Sequence, residues 1–88
     1  MPVRFIGIDP ESEHGDSPTV WANTDAGELL IQGWTATEEE ATRCYSEGGT
    51  APGHEAAVPD HETIIRIPAR MAPILRKALD ALDSPTDR

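Results

Sequence analysis

The chain contains a single cysteine, Cys44, so no intramolecular disulfide can form. Small secreted domains usually depend on such bridges, and the expected compartment is therefore a reducing cytoplasm. Long apolar runs are also missing. The run of residues 3–8 meets Asp9 and Glu11 at once, and no stretch approaches the roughly 18 apolar residues of a membrane span. The expectation is a soluble chain without a leader or a membrane contact. Aromatic residues are scarce: Phe5, Trp21, Trp34 and Tyr45 make up the set. With 88 residues, only a thin core can form, and a second copy or a partner is an economical cover for leftover apolar surface. A single domain over 1–83 is expected, with residues 47–59 a mobile loop and 84–88 a frayed tail.

Basic residues are few as well. Residues 1–60 hold two arginines against twelve acids, a balance of −10, whereas residues 61–88 carry +1. Nucleic-acid affinity comes mainly from Lys and Arg displacing counterions, so direct binding to DNA or RNA is not expected. A basic protein partner fits this charge.

What is present reads as a small α+β fold. Residues 3–8 are β-prone and stop at Asp9-Pro10, a turn opener. Residues 19–23 form a second strand. Gly27 closes a turn before a third strand at 28–34, giving an antiparallel meander with one face polar enough to be wet. Thr37 with Glu40 three residues later has the form of a capping box, opening a short helix over 37–46. Residues 62–67 read as a fourth strand ended by Pro68. From about 69 to 83, Met71, Leu75, Ala78, Leu79 and Leu82 make an apolar helical stripe with Ile74 beside it. Pro73 is compatible with that helix only in its first turn. The expected architecture is about four antiparallel strands with this helix on one sheet face.

Few constellations point to chemistry. Asp9, Glu11, Glu13 and Asp16 could offer oxygens to calcium, but the sixth and twelfth loop positions hold His14 and Val20 instead of Gly and an acid. A solvated acidic loop is the simpler reading. Cys44, His54 and His61 have the spacing C-x9-H-x6-H, which lacks the close ligand pairs of structural zinc sites. The same residues could form a thiol–imidazole dyad, yet neither a nucleophile elbow nor a Gly-rich phosphate cradle accompanies them. Trp21 and Trp34 read first as core anchors; Trp34, next to Gly33, is the better candidate for an exposed contact.

Five segments taken in order resemble a known group. They are Gly7-Ile8-Asp9-Pro10-Glu11-Ser12, Gly15-Asp16-Ser17-Pro18-Thr19, Ile31-Gln32-Gly33-Trp34, Pro59-Asp60-His61-Glu62-Thr63, and Ile67-Pro68. Together they resemble a family of small actinobacterial proteins encoded beside XRE-type helix-turn-helix regulators, with a looser similarity to BldB-like small regulators. The stretch between Trp34 and Asp60 is longer than that pattern. The resemblance implies no catalytic residue; it implies a DNA-binding regulator as the protein partner.

The expectation is thus a non-enzymatic regulatory accessory protein that works by protein contact, without cofactor or metal. Its expected contact residues are Asp9, Glu11, Glu13, Asp16 and Trp34. The alternatives are a self-associating module, dimerising through an edge strand or the 71–82 helix, and a small metal or thiol enzyme using Cys44, His54 and His61.

Overall fold

In the computed structural model, residues 3–11 and 17–83 are described. Contacts gather them into two units, one within 1–33 and 67–88 and the other Trp34–Arg66.

The first unit is built on β1 (Val3–Ile8), β2 (Thr19–Asn23) and β3 (Glu28–Gln32), an antiparallel sheet in the order β1-β2-β3. The β2–β3 turn forms because Asn23 accepts twice: its carbonyl from the Gly27 N–H at 2.9 Å, its side chain from the Ala26 N–H at 3.0 Å. Gly27 takes φ 72°, a conformation open to glycine at little cost. The third strand ends at Gln32, short of the expected Trp34.

A β-bulge in β1 sets the two faces of this sheet. Phe5 pairs with Trp21 but Gly7 pairs with Val20, so Ile6 is an extra residue with no partner of its own. Residues opposite one another on a ladder share a face. Val20, Ala22, Leu29 and Ile31 therefore lie on one side with Ile6 and Gly7. Phe5, Trp21 and Leu30 form a row on the other side, flanked by Val3 and Ile8. The expectation of a polar outer face is thereby corrected. Strict alternation would have sent Ile8 inward with Ile6; the bulge sends it out.

The helix covers the inner face. A 3₁₀ turn (Ala69–Met71) leads into α2 (Ala72–Asp83), which places Pro73 in the first turn, where its missing N–H costs nothing. Ile6, Val20, Ala22, Met71 and Ala78 form the buried core, with Ile74, Leu75, Ala81 and Leu82 packed against it. Leu79 departs from the expected stripe and is 51% exposed. The stripe centres on Ala78, and the next residue is rotated by about 100° toward solvent. Gly7 permits the close approach of α2, since a Cβ there would lie 2.9 Å from Cγ2 of Ile74.

In the second unit, β4 (Trp34–Thr35) pairs antiparallel with β5 (Ile65–Arg66). The expected strand over 62–67 shrinks to these two residues, and they join a separate ladder instead of the first sheet. Two causes are visible: Glu62 N–H is used by the Pro59 carbonyl in a turn, at 3.0 Å, and β4 offers only two residues to pair with. β-Propensity alone makes no strand without a partner. Between them lies α1 (Glu38–Arg43), whose capping box is present in both halves: Thr37 Oγ1 accepts from Glu40 N–H at 3.1 Å, and Glu40 Oε1 accepts from Thr37 N–H at 2.7 Å. The helix widens into a π turn (Cys44–Gly48) and stops at Gly49, φ 85°.

Gly7→Ala is expected to destabilise the protein by about 1–3 kcal/mol, because Ile74 is branched at Cβ and cannot swing its methyl aside freely. Urea denaturation of the variant beside the wild type measures this.

Candidate functional site

Of the acidic contact residues expected from the sequence, Asp9 turns out to be structural. It is 2% exposed, and its two carboxylate oxygens accept from Nε and a terminal nitrogen of Arg70 at 2.6 and 2.7 Å. Oδ1 also accepts from the Glu11 N–H at 3.0 Å, closing an Asx turn. Asp9 follows the bulged strand, so it points to the α2 side, where Arg70 lies in the 3₁₀ turn that opens the helical segment. A planar guanidinium matches a carboxylate with two parallel bonds. This hydrogen bonding, against an opposing effect of burial, holds the Arg70 pKa above its usual value. Asp9 is thus spent inside the fold and leaves the exposed acidic set. Glu11 stays exposed, while Glu13 and Asp16 lie outside the described residues.

Trp34 is half-buried. The Arg66 guanidinium sits 5.6 Å from its ring centroid, a cation–π contact across the β4–β5 ladder. Arg66 Nε is also 3.3 Å from Oε1 of Glu40, so one arginine joins the ladder to the cap of α1. The Thr37 backbone bond is the main reason that the Glu40 carboxyl lies below its usual 4.5, with Thr37 Oγ1, Arg66 and Arg43 adding to it and burial opposing. One face of Trp34 is therefore occupied by Arg66.

Cys44, His54 and His61 are all exposed. Among the described residues, no group of three or more His, Cys, Asp or Glu is gathered within metal-binding range. His61 Nε2 lies 3.7 Å from the neighbouring Glu62, on the surface. An open groove of about 460 Å³ runs beside α1 and the π turn, with Ala41, Tyr45, Ala56, Ala57 and Val58 at its base. Sequence reasoning passed over it because residues 47–59 show no period, and grooves made by irregular backbone leave none.

The larger feature is the outer face of the first sheet. Phe5 is 59% exposed, Ile8 46%, Leu30 44% and Val3 43%, with half-buried Trp21 at their centre. Among the described residues its one formal charge is Glu28, at a corner opposite Asn23. At the other end, Thr19 Oγ1 and Gln32 Nε2 both donate to the Ser17 carbonyl, at 2.8 and 2.9 Å, which ties the incoming chain to β2 and β3. Exposed apolar patches that include aromatic side chains are frequent at protein interfaces. The signal was in the sequence, in the apolar residues at 3, 5, 8, 21 and 30. Only the register shows that they converge.

Comparison with known families, with curated proteins and with solved structures finds no match to this chain. No helix among the described residues is long and apolar enough to cross a membrane.

Two outcomes follow from the ion pairs. Arg70→Ala, which strips a buried carboxylate of its guanidinium, lowers the urea midpoint more than Arg66→Ala, whose pair is exposed. Glu40 has a folded pKa below 4.5, so its contribution to stability is complete above that pH and is lost as pH falls through the folded value. Glu40→Gln keeps the cap through its amide oxygen but loses the charge, and its thermal stability should fall less steeply than the wild type's on acidification below about pH 5.

Proposed function

We propose that this chain is a regulatory accessory protein of the cytoplasm that works by protein contact and not by catalysis, and that the outer face of the β1-β2-β3 sheet is its contact surface. The carrying observation is the row of Phe5, Trp21 and Leu30, left open with Val3 and Ile8 on the side of the sheet away from α2. Apolar side chains left in water are a standing cost that docking removes. A second support is the net charge of −9, which favours a basic partner over a nucleic acid. A helix-turn-helix regulator presents such a basic surface, and it is the partner class that the sequence resemblance implies.

The test is competition. A regulator of that class encoded beside this chain is bound to its operator, and the chain is added at low and at high salt in a gel-shift assay. The wild type is expected to displace DNA at low salt and less well at high salt. The Phe5→Glu variant is expected to do so at least about tenfold less well. No effect of the wild type at low salt, or full activity of Phe5→Glu, overturns the proposal.

A further inference from the structure

We infer that the outer sheet face also docks a second copy of this chain, sheet against sheet, so that self-association and the regulator compete for one surface; the inference rests on the contact surface proposed above. Charge is the first reason. The chain carries −9, so two copies repel over most of their surface. Among the described residues, the outer face exposes Val3, Phe5, Ile8, Leu30 and Gln32 around half-buried Trp21 and Asn23, all uncharged, with Glu28 at a corner. Like-charged copies lose least by meeting there.

Shape is the second reason. Phe5, Trp21 and Leu30 cross the three strands in a single row, with Val3 and Ile8 beside it on β1, Thr19 and Asn23 on β2, and Glu28 and Gln32 on β3. A two-fold axis near Trp21 lays the row of one copy against the row of the other. Untwisted rows are not required: aligned sheets pack at about −30° with side chains interdigitating about 10 Å apart.

Area is the third. Aromatic side chains bury about 150–250 Å² each when fully covered. Phe5 at 59% exposed, with Trp21 and three aliphatics at 43–46%, gives on the order of 1,000 Å² when both copies are counted. That reaches the lower edge of specific interfaces, so a reversible dimer in the micromolar range is expected in place of an obligate one.

Sedimentation velocity of the full chain, from about 5 to 500 μM, reads this directly. The wild type is expected to shift from monomer to dimer across that range. Phe5→Glu and, from a different strand, Leu30→Glu each weaken the dimer at least about tenfold. Leu79→Glu, on the exposed side of α2, leaves it unchanged. Circular dichroism confirms that each variant is folded, and using two strands guards against one variant failing. A monomer at every concentration, or a dimer indifferent to both sheet variants, overturns the inference. The two proposals separate in the first of these cases. If the wild type is monomeric while Phe5→Glu still loses competition for the regulator, the contact surface stands and the second copy falls. If Phe5→Glu changes neither readout, both fall.

Discussion

The extra residue at Ile6 governs which way every later residue of β1 faces. Pairing runs from Phe5 opposite Trp21 to Gly7 opposite Val20, and the one-residue slip reverses the alternation beyond it. Ile6 and Gly7 both turn to the helix side. Ile6 fills the core, and Gly7 leaves the space that Ile74 takes. Ile8 is sent outward to extend the open row, and Asp9 inward to meet Arg70. A single unpaired residue thus links the core, the exposed outer face and the buried ion pair.

The bidentate pair of Asp9 and Arg70 closes this arrangement at one end. Asp9 N–H donates to the Pro18 carbonyl at 2.9 Å, carrying the β1–β2 ladder one residue past the strand, while its side chain reaches the start of the α2 segment. A charge with no exposed side-chain surface costs free energy unless each oxygen is met, and here each oxygen is met by a guanidinium nitrogen. The acid best placed by sequence to attract a partner is in this way removed from the surface. The outer side of the sheet keeps its apolar residues exposed.

The second unit holds together on different terms. It has no buried side chain in α1, and its local order comes from the capping box, the Arg43–Glu47 pair one turn apart and the Arg66 contacts to Trp34 and Glu40. These are polar, half-exposed interactions that weaken in salt or acid, unlike the packing of Met71 and Val20 in the first unit. A chain with four aromatic residues spends one of them, Trp34, as a platform for an arginine.

Local signals were legible from the amino-acid order: the strands at 3–8 and 19–23, the Gly27 turn, the Thr37 and Glu40 cap, and the amphipathic run with Pro73 in its first turn all depend on residues close in the chain. The α+β class followed from them. What depends on distant partners was not legible. The strand over 62–67 shrank to Ile65–Arg66 because a ladder needs a second edge, and only Trp34–Thr35 supplied one. Leu79 left the core because the centre of the stripe is set by what the helix lies on. Asp9 became structural because Arg70, 61 positions away in the chain, closes on it. The outer face followed from the bulge. A bulge has no composition of its own, and only the pairing of β1 with β2, and of β2 with β3, could place Phe5, Ile8, Trp21 and Leu30 on the same side.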